Sequence, residues 1–394
     1  MKRIAYICCM LAFSLNMTAQ IDTTDMNWRL VFSDDFTTNG RGWNGGFSDT
    51  VQGDASYESK WRCYHEEWQS GVTRAYKHHL VSQPSQCRFN DNIDFNDNKL
   101  RIISNFYDSI SLTCGQYVLP DSTAGNYVCD NTHHWLYYYS GFIEAIETFR
   151  YGYFEMKCKN PFHTGAFPSF WLWGRGLRRY EEIDIYEFMW DIYYQDAPCW
   201  GYPNSFTTGM YYGRKNDTTM FEHARKAVFY PADQPGIDQW HTFGCLWMPD
   251  SVVWYFDGAK VNEYLDHDSI PHGNMALKIN YLIDNWSLSK HNDYISPPTW
   301  KGSDTLTIDY VRVYQLETDC ETDVVIASNS QLAGYEYGVK HSITIGDTNN
   351  AITMPSGSNM VMRATEYIKI DGEFTVPVGT SLTLMTHPCP DRYD

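Results

Sequence analysis

The segment Trp240-His-Thr-Phe-Gly-Cys-Leu-Trp247, followed by Met248-Pro-Asp-Ser251 and then Val252-Val-Trp-Tyr-Phe256, decides the fold class of this chain. Bulky apolar residues recur at alternate positions on both sides of a short Pro-Asp connection, which reads as two antiparallel strands joined in a hairpin. Similar aromatic and β-branched runs occur at Tyr151-Gly-Tyr-Phe-Glu-Met-Lys157, Phe170-Trp-Leu-Trp173 and Thr307-Ile-Asp-Tyr-Val-Arg-Val-Tyr314. Gly, Asn, Asp and Pro separate these runs, and no long helical apolar period intervenes. The pattern predicts an all-β sandwich of two sheets over residues 21–316.

The bulk composition agrees with a globular chain. Of 394 residues, 43% are hydrophobic and only 20% charged, enough apolar material for a core and too little charge for a disordered protein. Residues 1–20 read as a signal peptide: Lys2 and Arg3 open it, an apolar stretch runs from Ile4 to Leu15, and Thr18-Ala19-Gln20 supplies the small-residue exit. A membrane anchor would need about 20 apolar residues. The expectation is a secreted protein, extracellular, periplasmic or at the cell surface, whose mature chain does not insert into a membrane.

Eleven cysteines include Cys8 and Cys9 of the leader, so the mature chain holds an odd number and at least one thiol stays free or pairs outside it. Export permits disulfides; the neighbouring candidates are Cys114 with Cys129 and, across the tail, Cys320 with Cys389, and spacing alone leaves both open. The formal net charge is −18, and loss of Lys2 and Arg3 makes it −20. A surface this acidic argues against nucleic acid or anionic membranes as partners, and more weakly against polyanionic substrates.

The acidic stretch Glu317-Thr-Asp-Cys-Glu-Thr-Asp323 reads as a linker at 317–323. Beyond it, Met354-Pro-Ser-Gly-Ser-Asn-Met-Val-Met362 recurs 22 residues later as Val376-Pro-Val-Gly-Thr-Ser-Leu-Thr-Leu384. Each copy is a turn followed by a strand, so residues 324–394 are expected to form a small stacked β module, accessory to binding or to surface export.

The chemistry centres on Glu182-Ile-Asp-Ile-Tyr-Glu187. Side chains alternate faces along a strand, so Glu182 and Asp184 share one face while Ile183 and Ile185 take the other. Glu187, five residues from Glu182, falls on the wrong face unless a β-bulge near Tyr186 absorbs one residue. With that bulge three carboxyl groups share a face, and neighbouring carboxylates resist simultaneous ionisation. A retaining glycosidase uses such a pair about 5–5.5 Å apart, one as nucleophile and one as acid. Glu182 is assigned as nucleophile, Glu187 as general acid and then base, and Asp184 as the auxiliary beside the nucleophile.

The bare spacing also fits a solvated acidic strand, so the flanks must decide. Just upstream, Phe167-Pro-Ser-Phe-Trp-Leu-Trp-Gly174 places Ser169, Trp171 and Trp173 on one face and Phe170 and Leu172 on the other. Trp171 and Trp173, and Trp190 beyond Glu187, are candidates to stack on sugar rings, with core packing as the alternative.

Taken with Ser140-Gly141, Tyr151-Gly-Tyr-Phe-Glu155, Trp240-His-Thr-Phe243, Trp254-Tyr-Phe-Asp-Gly258 and Asp309-Tyr-Val-Arg-Val-Tyr314, these motifs resemble glycoside hydrolase family 16 over about residues 27–316. The likeness is to the bulge-containing branch of these concanavalin-like jelly-roll endoglycanases. It implies a jelly-roll sandwich with an open concave cleft, and endo-acting retaining hydrolysis of a polysaccharide. It further implies a structural calcium on the convex side, for which Asp35 and Asp309 sit at matching places, surface acids being the alternative. No cofactor is expected in catalysis, since the histidines show no zinc-binding spacing.

Two departures bear on the substrate. Where relatives cleaving β-1,3-glucans carry a Trp-Pro-Glu-like stretch with Gly, this chain has Leu177-Arg-Arg-Tyr-Glu181. Arg178 and Arg179 would suit a sulfate or uronate of a galactan such as agar, porphyran or carrageenan, or else are solvated loop charges. Thr208-Gly-Met-Tyr-Tyr212 lacks a histidine that relatives often place there. The reading leans slightly to a β-1,3 or mixed-linkage glucan, with a sulfated galactan second. A transglycosylase and a non-catalytic glycan-binding sandwich are the competing classes, and oligomeric state is not readable.

Overall fold

The computed structural model describes residues 25–37, 47–48, 60–63, 93–112, 119–120, 127–128, 134–139, 141–161, 166–174, 181–188, 205–213, 220–229, 238–266, 269–283, 302–347 and 349–391. The leader, Cys114 and Cys129 lie outside these residues. No described helix is long and apolar enough to cross a membrane.

The hairpin forms where the alternation places it. Trp240–Met248 and Ser251–Phe256 are antiparallel strands with Met248 opposite Ser251. A second turn follows at Asp257-Gly258, where both residues have positive φ, 47° and 79°, and Phe256 pairs with Ala259. That conformation matches the twist of the flanking strands, and Asp-Gly is among the pairs that accept it. Asp257 is held there by the Thr242 backbone N–H and by His241 Nδ1, at 2.8 and 2.7 Å.

Among the described residues these strands belong to a nine-stranded sheet in the order Ala259–Tyr264, Ser251–Phe256, Trp240–Met248, Gly152–Lys159, Ser303–Leu316, Lys99–Leu112, Ile93–Asn96. Trp28–Asp34 also pairs with Ser303–Leu316, and His134–Tyr139 with Lys99–Leu112. The second sheet runs Met220–Phe229, Ser205–Gly213, Glu181–Glu187, Ala166–Gly174, Met275–Ile283, Phe142–Phe149, Trp61–Cys63, Phe47–Ser48. One residue of each alternating pair faces inward, giving a single core that includes Trp61, Phe154, Phe170, Ile183, Tyr186, Phe243, Trp247 and Trp254. The fold is the all-β two-sheet jelly-roll sandwich expected from the sequence. Between consecutive core strands, Gly152 adopts φ 121° against the Tyr314 backbone, where a Cβ would lie 2.5 Å from the carbonyl oxygen.

The tail departs from one expectation. Residues 317–323 do not form a linker: Glu317 alone separates Ser303–Leu316 from the strand Thr318–Ile326. The acidic residues that suggested a solvated tether are instead partners, with Asp319 bound to Lys340 at 2.8 Å and Cys320 disulfide-bonded to Cys389. Thr318–Ile326, Val339–Ile345, Asn359–Ile370 and Ser381–Thr386 then stack as a parallel sheet. Asn359 lies opposite Ser381, and Ile352 opposite Phe374, so the 22-residue repeat is the rise from one layer of the stack to the next. The module is anchored to the sandwich as well. Asp25 pairs with Arg363 at 2.8 Å, and Asn27 donates to the Val361 carbonyl and accepts from the Gly338 N–H.

Candidate active site

The acidic strand Glu181–Glu187 lies between Ala166–Gly174 and Ser205–Gly213. On the first side Glu182 faces Trp173 and Asp184 faces Trp171, but Tyr186 and Glu187 face Phe170 and Ser169. Ile185 is therefore the extra residue. On the other side Asp184 pairs with Gly209 and Glu187 with Thr207, with the same break between them. Ile185 and Tyr186 are consecutive and both lie in the core, which only a bulge permits. Glu182, Asp184 and Glu187 consequently share the outer face of the eight-stranded sheet, as the odd spacing demanded.

Neighbouring strands continue this face in rows. Across Asp184 run Trp171, Lys278 and Glu144, and across Glu187 run Ser169, Asn280 and Phe142. Directly opposed residues of adjacent strands project on the same side. Trp173 is partly exposed, whereas Trp171 is 8% exposed and packs against Phe142. Trp171 thus forms the floor beside the acids and Trp173 the more accessible platform.

The floor has its own supports, none marked by a motif. Trp171 Nε1 donates to Asn280 Oδ1 at 2.7 Å, which fixes the indole, while the buried Asn280 Nδ2 has no partner among the described residues. Lys278, 1% exposed, pairs with the equally buried Glu144 at 3.1 Å. Its ammonium lies 4.3 Å from the Trp173 ring centroid and 5.0 Å from that of Trp171, close enough for cation–π attraction to both. Thr207 Oγ1 donates to Glu187 Oε2 at 3.4 Å, a long contact from the strand opposite. Only strand order brings Glu144, Thr207, Lys278 and Asn280 together.

Trp190, Arg178 and Arg179 lie outside the described residues. Among the described residues, no group of three or more His, Cys, Asp or Glu ligand atoms gathers around Asp35 or Asp309. Both oxygens of Asp309 face ammonium groups, Lys99 at 2.6 Å and Lys157 at 3.0 Å, which would repel a dication. Although burial pushes the Asp309 carboxyl up, the hydrogen bonds from Lys99 and Lys157 outweigh it and hold the group below the usual carboxylate range. Asp35 Oδ1 accepts from the Thr37 backbone and hydroxyl.

Comparison with known proteins gives the family. The model of the family described as Glycosyl hydrolases family 16 matches residues 89–312. The Endo-1,3-1,4-beta-glycanase EglC of Rhizobium meliloti (strain 1021) is 29% identical over 186 residues, covering 46% of this chain and 34% of that protein. ExsH of the same organism, also an endo-1,3-1,4-beta-glycanase, is 28% identical over 184 residues with the same coverage. The alignments therefore span about a third of the length of these relatives. Among solved structures, LamAcat from Zobellia galactanivorans superposes with a TM-score of 0.48 at 17% identity, covering 73% of this chain and 97% of that one.

Proposed function

The chain belongs to glycosyl hydrolases family 16, and from that premise we propose that it is a secreted, endo-acting, retaining hydrolase of a β-linked glucan, β-1,3 or mixed-linkage. The observation that carries the reading is the ladder register placing Glu182, Asp184 and Glu187 on one outer face against Trp173, Trp171 and Ser169. A surface strand without catalytic duty has no need of three carboxyls on one face, because their mutual repulsion is a cost.

The chemistry follows from that row. Trp173 offers a flat apolar surface for a pyranose ring, which would set a glycosidic bond over the acids. Glu182 attacks the anomeric carbon while Glu187 protonates the departing oxygen, leaving a glycosyl ester on Glu182. Glu187, now a carboxylate, takes a proton from water, which attacks the ester and frees the sugar with its original configuration. Asp184 stands between the two on the same face, where it can hold a proton against Glu182 as charge leaves and returns.

The geometry makes one demand. Glu182 and Glu187 span four positions of the partner strand, Trp173 to Ser169, so their Cα atoms are about 13 Å apart at the usual rise per residue. The carboxyls reach a separation of about 5–5.5 Å only when both side chains lean over Asp184.

Incubation with laminarin, lichenan, agarose, porphyran and carrageenan, followed by sizing of the products, tests the proposal. Oligosaccharides from laminarin or lichenan are expected. Products from the galactans agarose, porphyran or carrageenan alone would replace the glucan by a galactan, and none from any of the five would leave a glycan-binding sandwich. Products longer than the substrate would indicate a sugar acceptor in place of water.

A further inference from the structure

The bulge that presents Glu187 is held from the facing sheet. Trp254, fully buried in the strand Ser251–Phe256, donates from Nε1 to the backbone oxygen of Asp184 at 2.9 Å. In a regular strand the carbonyls lie in the plane of the sheet and bond to adjacent strands. A side chain from the opposite sheet reaches one only where the peptide has turned out of that plane. Asp184 is where this happens, at the last paired position before the register to Ser205–Gly213 breaks.

Tyr186 supplies a second anchor. Its ring stacks on Phe243 with centroids 4.1 Å apart, and its hydroxyl donates to Asn160 Oδ1, directly after the strand Gly152–Lys159. Trp254, Phe243 and Asn160 all come from the nine-stranded sheet or the residue that ends one of its strands. The position of an extra residue in a strand is not set by the ladder alone. Were the bulge lost, or moved past Glu187, Tyr186 would turn outward and Glu187 would turn into the core; a shift of a single residue would already turn Tyr186 outward and change the path of the backbone that carries Glu187.

We propose that Trp254, acting with Tyr186, is a positioning residue that pins the bulge at Ile185-Tyr186 and so sets the place of Glu187 relative to Glu182 and Asp184. The proposal rests on the assignment of these acids as the catalytic set. Neither aromatic residue touches substrate; both act through the backbone that carries the acid. Small displacements of a catalytic group weaken turnover far more than binding.

Trp247 provides a matched control, being an equally buried tryptophan whose Nε1 donates to a backbone oxygen, that of Pro271, at 2.9 Å. Trp254→Phe is expected to lower kcat about tenfold or more with KM within about twofold of wild type, and Trp247→Phe to change neither by more than about twofold. A substrate-free readout accompanies the kinetics: NMR titration of 13C-labelled glutamate and aspartate carboxyls. Interacting carboxyls titrate as a coupled set, so a displaced Glu187 changes the midpoints of the Glu182, Asp184 and Glu187 signals. Trp254→Phe is expected to change them and Trp247→Phe to leave them. Identical titration in wild type and folded Trp254→Phe, or an equal change in Trp247→Phe, overturns the proposal. Should Trp254→Phe not fold, Tyr186→Phe, which keeps the stacked ring and removes only the hydroxyl, is read in the same way. A wild-type protein that cleaves no glycan would defeat the functional reading, while the titration would still decide the positioning role.

Discussion

Glu182 stands directly opposite Trp173 in the ladder between the acidic strand and its tryptophan-bearing neighbour. The proposed nucleophile and this half-buried aromatic platform are therefore set by one register, and any slip would separate them.

Trp173→Ala should raise KM about tenfold on a polymeric substrate with a smaller fall in kcat, the loss of one stacking surface being worth about 1 kcal/mol or slightly more. Steady-state kinetics on the glycan that wild type cleaves measures it. An unchanged KM would mean that Trp173 packs against Lys278 and carries no sugar.

Lys278 is expected to matter for stability well beyond its lack of surface. It pairs with Glu144 at 3.1 Å, with side-chain exposures of 1% and 3%. Removing one member of a buried pair typically costs about 3–5 kcal/mol. Lys278→Met should therefore lower the stability by about 3 kcal/mol in urea denaturation, and Lys278→Met with Glu144→Gln should lose less than the two single losses combined. Strict additivity would remove the coupling.

Asp309 predicts an acid limb to stability. Its carboxyl is held below the usual range, so its contribution is complete above the unfolded pKa, about 3.9, and disappears as pH falls through the lower folded value. Melting temperature should drop below about pH 4, less steeply in Asp309→Asn. Because Lys99 and Lys157 occupy both carboxylate oxygens, a chelator should leave the wild-type melting temperature unchanged at neutral pH. A drop on chelation, restored by calcium, would return a metal to this region.

The disulfide Cys320–Cys389 closes 69 residues of sequence around the parallel stack. Chain entropy alone assigns such a loop about 4 kcal/mol. Reduction, or Cys320→Ser with Cys389→Ser, should make the tail unfold earlier, visible as hydrogen exchange in Asn359–Ile370, while leaving glycan cleavage near wild type. Loss of activity along with the tail would show that the module supports the sandwich.

What could be read from the chain beforehand follows sequence distance. The hairpin at Trp240–Phe256, the bulge near Tyr186 and the 22-residue stacking period are local patterns, each visible within a few tens of residues. Glu144, Thr207, Lys278 and Asn280 meet the acids only through strand order, and no short motif marks them. Trp254 stands in the aromatic run that predicts the hairpin, but its bond to the Asp184 carbonyl depends on a peptide rotated by the bulge. The linker expected at 317–323 fails for a related reason: an acidic run looks solvated until its partners, Lys340 and Cys389, arrive from the stacked strands.

The most direct test of the central claim is the anomeric configuration of the first product. Proton NMR at early times, on whichever glycan of the panel the protein cleaves, should show the β-anomer appearing first and the α-anomer later by mutarotation, with no product from Glu182→Gln or Glu187→Gln. An α-anomer formed first would contradict a glycosyl ester on Glu182, and wild-type turnover by either variant would remove that glutamate from the mechanism.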